Sequence, residues 1–441
     1  MSRKKITKKA RIRIGFFLLL FTAGSFTFLL LEPLIPNPIG EALDDEFLSG
    51  IDDKIRDTRT SPFTITLQYA NGTLLDDVDV QYNLTNHEFY FGCTYFDFNE
   101  EIANGSVNYQ KYFKQTFNLA VLPFFWQWAE PEQGVLWQEP WLNLTLTWCE
   151  LNNITVKGTP IAWATEPGTP EWLSPDDEAK KQSLQARVEY VVEKYKDRVK
   201  IWDVVNEPVR LPPFYGDSTF QYVADAFGWA HSKDSGATLS INDFGILGQD
   251  FGDGPYFNLI KEELDAGTPI GCVGIQSHEP RTDWFPAVNM WQTFEGYSSL
   301  GIPIHLTEIM VTSASLPITN SWKKGLWSEE NQAEYLERLY KTAFAHPSVE
   351  AVIYWELWEG AEWMEGTPLI KTNWEPKRAY NRISNLVNNE WHSEGTTKTN
   401  ISGILAFTGF HGTYNITIPL LGQTFQINLE SGDTTHYSII V

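Results

Sequence analysis

Two glutamates stand where short apolar runs end. Val199-Lys200-Ile201-Trp202-Asp203-Val204-Val205 leads into Asn206-Glu207-Pro208, and Pro303-Ile304-His305-Leu306-Thr307 leads into Glu308. Such a pair can cleave a glycosidic bond with retention of configuration when the carboxyl groups lie about 5–5.5 Å apart, one protonated and one ionised. An acid after an apolar strand also serves as a cap or an ion-pair partner, so neither glutamate decides anything alone. Together they point to one site.

The elements that must position them follow a regular pattern. Eight short apolar runs read as strands: Phe89–Tyr95, Phe117–Leu122, Val156–Trp163, Val199–Val205, Thr238–Phe244, Cys272–Ser277, Pro303–Thr307 and Ala351–Trp355. Longer segments of helical spacing, such as Ala179–Tyr195 and Glu329–Ala345, lie between them. Eight such units within about 300 residues give the count of an α/β fold of the (β/α)8 TIM-barrel type. No Gly-rich phosphate loop follows the first strand, which disfavours an open doubly wound sheet. In such a barrel, Glu207 and Glu308 end strands four and seven, at the rim that carries chemistry.

The flanks complete the expected organisation. Residues 1–31 form a basic tail and an apolar run, 32–61 a juxtamembrane linker, and 62–88 a β-hairpin around the Asn71-Gly72 turn signal. Residues 89–390 form the catalytic barrel. Residues 391–441 form a small β module, expected to brace the barrel and to pair with the hairpin in one accessory sandwich.

Several motifs in order resemble glycoside hydrolase family 10, the endo-β-1,4-xylanase family, over about Phe89 to Asn388. Trp202-Asp203-Val204-Val205-Asn206-Glu207 matches the acid/base motif, and Leu306-Thr307-Glu308 matches the nucleophile strand. Leu239-Ser240-Ile241-Asn242-Asp243-Phe244 and Gly274-Ile275-Gln276-Ser277-His278 look like the fifth and sixth strands. Trp355, Trp363 and Glu375-Pro376-Lys377-Arg378-Ala379-Tyr380 look like the eighth-strand region, and Glu130-Pro131 with Gly134 and Trp137 like the segment after strand two. The resemblance implies that Glu207 is the acid/base and Glu308 the nucleophile. It implies that Asn206 bonds the sugar 2-OH, that Gln276 and His278 hold the nucleophile and the neighbouring sugar, and that Trp163, Trp355 and Trp363 wall the cleavage site. Trp126 is a further expected sugar contact. His305, alternating with Ile304 and Leu306, reads as structural.

Departures from the pattern fall on sugar recognition. Leu122 and Phe125 stand where the family places Asn and Lys on strand two. Thr159 replaces a His on strand three, Ala164 follows Trp163 in place of His, and Met310 replaces an Asp that supports the nucleophile's His. Each lost hydrogen bond is worth about 1 kcal/mol net. The expected activity is endo-hydrolysis of xylan or a related β-1,4-linked hemicellulose. A hydrolase or transglycosylase of another β-glycan, or a catalytically weak surface carbohydrate-binding protein, are the alternatives.

Composition agrees with this. The formal net charge of -23 disfavours nucleic acid as a partner, and 18 Trp suit stacking on sugar rings. Lys and Arg residues before Arg13 precede an apolar run, Ile14 to Leu31, which reads as an uncleaved signal anchor with the enzyme outside the cell, a cleaved signal being the alternative. Sequons begin at Asn71, Asn83, Asn104, Asn143, Asn153, Asn400 and Asn415, in keeping with export and glycosylation. Cys93, Cys149 and Cys272 imply no disulfide framework. Asp243, Asp250 and Asp253 lack EF-hand spacing and read as a solvated loop. No metal or cofactor is expected, and the chain is expected to be a monomer.

Overall fold

A computed structural model describes residues 38–96, 107–432 and 435–441. The apolar run 14–31 and the sequon at Asn104 lie outside the described residues. Among the described residues, no helix is long and apolar enough to cross a membrane.

Strands are numbered in chain order. Eight of them, β3 (Tyr90–Thr94), β4 (Leu119–Pro123), β5 (Thr155–Thr159), β6 (Ile201–Asn206), β7 (Thr238–Asp243), β8 (Cys272–Ile275), β9 (Ile304–Ile309) and β10 (Val349–Tyr354), close into a barrel. Every neighbouring pair is parallel, including β10 on β3. Strands covered on both faces are buried along nearly their whole length rather than at alternate positions, as in β6 and β9, and the polar residues among them point to the barrel interior or its rim. The helices between them are capped by their own sequence. Asp176 accepts from Ala179 N at the start of Asp177–Lys194, and Ser328 from Asn331 N at the start of Glu329–Ala345. Gly158 on β5 is required by close approach, because a Cβ there would run into the Trp202 ring.

The flanking strands β1 (Thr60–Gln68) and β2 (Asp79–His87) are not a hairpin. β1 lies between β12 (Ile404–Phe410) and β15 (His436–Ile440), whereas β2 lies between β11 (Glu394–Lys398) and β13 (Gly412–Ile418), with β14 (Gln423–Leu429) beyond. The turn at Asn71-Gly72 forms, with Gly72 at φ 82°, but the strands it joins enter different sheets. Tyr82 of one sheet stacks on Phe407 of the other at 4.0 Å, fixing the two layers face to face.

Residues 38–59, expected within a spacer, are instead two helices, Pro38–Ser49 and Ile51–Arg59, docked on the barrel. Ile51 and Ile55, one turn apart, are both buried. Asp44 accepts from Ala287 N, the first residue of helix Ala287–Ser298, and so caps from outside a helix whose own N-cap is Pro286. It also accepts from Trp322 Nε1 and pairs with Arg338 at 3.2 Å. Arg59 donates to the carbonyls of Phe344, His346 and Val349, satisfying backbone acceptors at and just beyond the end of helix Glu329–Ala345.

Candidate active site

β6 ends in Asn206, and Glu207 follows at φ 58°, a left-handed conformation that costs a non-glycine residue about 1–3 kcal/mol. The turn is held by Glu207 N donating to Asn242 O at 2.7 Å and by Leu211 N donating to Glu207 O at 3.1 Å. Ser277, just before His278, is at φ 65°. Glu308 lies within β9, which runs two residues past the expected end at Thr307. Glu207 and Glu308 line one cavity of about 1200 Å³ at the C-terminal ends of the strands.

A chain of amides joins the two carboxyl groups. Gln276 Nε2 donates to Glu207 Oε1 at 3.1 Å and to Asn206 Oδ1 at 3.2 Å. Asn242 Nδ2 donates to the same Asn206 Oδ1 at 2.9 Å and to Glu308 Oε1 at 2.6 Å. Thr307 Oγ1 donates to Asn242 Oδ1 at 2.6 Å, which fixes the Asn242 amide with its NH2 towards Glu308. His278 Nε2 meets Glu308 Oε2 at 2.8 Å, so both oxygens of Glu308 are occupied by donors. Trp163 Nε1 donates to Glu207 Oε2 at 3.0 Å.

Burial pushes the Glu207 carboxyl above its ordinary range; the Gln276 and Trp163 donors oppose this, and the charge on Glu308 adds to it. Beneath it, burial pushes Asp243 up to about 7, against hydrogen bonds from Val209 N and Phe244 N. A carboxyl held above its ordinary range by burial, beside one whose two oxygens both meet hydrogen-bond partners, suits a general acid and nucleophile pair.

The aromatic residues divide. Trp163, Trp355 and Trp363 line the cavity, the last two edge-on to His278 with centroids 5.6 Å away. Trp126 does not. It is 2% exposed, packs on Phe214 and donates to Glu130, so the expected sugar contact is corrected to a core residue. Trp128, two positions on, is 41% exposed and lines the cavity instead. Asn242 was visible only as part of a motif; its place at the end of strand five, between Glu207 and Glu308 in chain order, was the signal for it. Asp243, Asp250 and Asp253 do separate work: Asp243 is buried under Glu207, and Asp250 accepts from Gly252 N and Gly254 N. Among the described residues, no group of three or more His, Cys, Asp and Glu could hold a metal ion.

The family model for glycosyl hydrolase family 10 matches residues 82–386. The chain belongs to this family. Among curated proteins similar to it, endo-1,4-beta-xylanase 3 of Arabidopsis thaliana is 31% identical over 338 residues, covering 73% of this chain and 42% of the relative. The anti-sigma-I factor RsgI6 of Acetivibrio thermocellus is 27% identical over 409 residues, covering 90% of this chain and 50% of the relative. The chain thus spans half or less of the length of these relatives. Xylanase 10B from Thermotoga maritima, a solved structure, is 25% identical with a TM-score of 0.57, over 69% of this chain and 96% of that one. The barrel is therefore that of a family 10 glycoside hydrolase.

Within a family 10 cleft, the departures now have places. Leu122 is wholly buried and does not reach the cavity. Phe125 does, with Trp128 edge-on at 4.5 Å and Trp163 at 5.6 Å, so these three residues form an aromatic wall. Thr159 lines the same wall. Met310 is buried, and His278 Nδ1 is buried with no hydrogen-bond partner. His305 lies away from the cleft, with Nδ1 3.6 Å from Cys272 Sγ.

Proposed function

We propose that this family 10 protein is a retaining, endo-acting β-1,4-glycanase, with xylan or a related hemicellulose as substrate. Glu207 protonates the leaving oxygen and then deprotonates water, while Glu308 attacks the anomeric carbon and forms a glycosyl-enzyme. Asn206 bonds the sugar 2-OH, and Trp163, Trp355 and Trp363 flank the ring. The observation that carries this reading is the Gln276–Asn206–Asn242 relay, which links and orients the Glu207 and Glu308 carboxyl groups in one cleft. Proton NMR of the first-formed product from xylohexaose tests it: the β-anomer is expected, and an α-anomer would show inversion.

A second reading is favoured by Phe125, Trp128 and Thr159. Their wall offers stacking area but few donors, and suits a β-glycan other than plain xylan. Reducing-end release across xylan, acetylated xylan, glucomannan and mixed-linkage glucan separates the two. A third reading, a catalytically weak surface protein that binds glycan, is favoured by the apolar wall at Phe125 and Trp128, which offers stacking area without new hydrogen bonds. The run Ile14 to Leu31 after a basic tail supports a membrane tether with the barrel outside.

A further inference from the structure

A second cavity, of about 600 Å³, lies at the junction of the barrel and the accessory sheets. One wall comes from the segments that precede β4 and β5, including Gln115, Asn118 and Asn152. This is the N-terminal rim of the barrel, opposite the rim that carries Glu207 and Glu308. The other wall is the outer face of the sheet β2–β13–β14.

That sheet face is unusual in composition. Tyr414, Ile416 and Ile418 of β13 are fully buried towards the other layer, which turns Thr413, Asn415 and Thr417 outward. The register then sets uncharged polar residues side by side. Asn86, Thr413 and Asn428 form one row; Asn83, Asn415 and Gln426 form the next; Gln81, Thr417 and Thr424 form the third. Neighbouring strands are about 4.8 Å apart and rows along β13 about 6.8 Å apart, with one irregularity on β2 between Asn86 and Asn83.

Asn83 Oδ1 accepts from His392 Nε2, and Thr417 and Thr424 bond each other, but the amides that line the cavity keep polar atoms free to bind. Among the described residues, the side chains of Asn86, Asn415 and Gln426 make no hydrogen bond to protein. Asn428 uses only its oxygen, towards Thr413 Oγ1, leaving its NH2 free. At the base of the cavity His87 Nε2 faces Val387 O, and the buried Nδ1 has no partner. In a chain with 56 acidic residues, no carboxylate among the described residues lines this cavity, and Lys114 is the one permanent charge among them that does. Primary amides pair a donor and an acceptor at the spacing of adjacent hydroxyls, and the absence of carboxylates removes any preference for a cation.

We propose that this cavity is a second glycan site, taking an uncharged β-linked oligosaccharide at the end of the barrel away from the catalytic cleft. It holds a polysaccharide chain to the protein while another stretch of that chain, or a neighbouring chain, enters the cleft. The proposal does not depend on which bond the two glutamates cleave.

The test uses the full chain carrying Glu308→Ala, made in a host without asparagine glycosylation, and titrated calorimetrically with xylohexaose, cellohexaose and mannohexaose. Two sites are expected for at least one sugar. Adding Asn415→Ala and Gln426→Ala should remove one site, and adding Trp163→Ala should remove the other. With Glu308 intact, the Asn415→Ala/Gln426→Ala chain should hydrolyse an aryl glycoside at the parent rate. Its half-saturating concentration on insoluble polysaccharide should rise about tenfold, the loss of a second attachment point. A single site for all three sugars, or two sites surviving Asn415→Ala/Gln426→Ala, overturns the proposal. So does a mass spectrum of the protein from its own source showing Asn415 fully glycosylated, because that glycan would fill the cavity. An inactive cleft with the second site intact would count against the hydrolase reading alone.

Discussion

His278 and Glu308 share a hydrogen bond of 2.8 Å, while the other ring nitrogen of His278 is buried and bonds nothing. A carboxylate nucleophile only accepts, so in the proposed mechanism His278 donates from Nε2. Nitrogen-15 NMR of the ring should report the Nε2–H tautomer, and an Nδ1–H tautomer would contradict the assignment. His278→Phe keeps the ring between Trp355 and Trp363 but removes the donor; kcat should fall about 10²-fold with KM changing less.

Glu308→Ala should lower turnover of an activated aryl glycoside about 10⁴-fold or more. Added azide should restore product release as a glycosyl azide of inverted configuration. Parent-level turnover in this variant would remove Glu308 from the chemistry.

As the proposed general acid, Glu207 would act in its protonated form, and burial raises its pKa, so activity on natural substrates should decline as pH rises through that value. Trp163 donates to Glu207 Oε2 and thereby favours the ionised form. Trp163→Phe should move the alkaline limb of kcat/KM to higher pH, while lowering its maximum. A limb shifted to lower pH would mean that the indole acts otherwise. Glu207→Gln should lose the limb altogether on aryl glycosides with good leaving groups.

Asp44 ties the helix Pro38–Ser49 to three partners, one of them the open end of another helix. Asp44→Ala should cost about 2 kcal/mol, combining a lost cap and a lost charged hydrogen bond. Thermal unfolding should show a Tm lower by several degrees, with kcat on an aryl glycoside unchanged.

The barrel was legible because strands buried on both faces leave runs such as Ile201–Asn206 and Ile304–Ile309 that little else explains. The glutamate pair was legible because those runs end in them. Pairing partners were not: the alternation in β1 and β2 says which side is buried but not which strand lies alongside. In the helix Ile51–Arg59 the buried Ile51 and Ile55 are hidden among six charged residues, so the segment read as spacer. Trp126 and Trp128 share a short helix and, two residues apart, point about 200° away from each other. One of them had to face inward, and composition gave no way to choose.

The interleaving of β1 between β12 and β15 reaches into biosynthesis. An early strand held on both sides by late ones has nothing to zip against until Ile404 and then His436 have left the ribosome, and loop closure over such a span is slow. The barrel can collapse before then, but its accessory layer is a clasp that shuts last. Trimming the chain back past His436 would leave an unpaired edge, and with it a route to self-association.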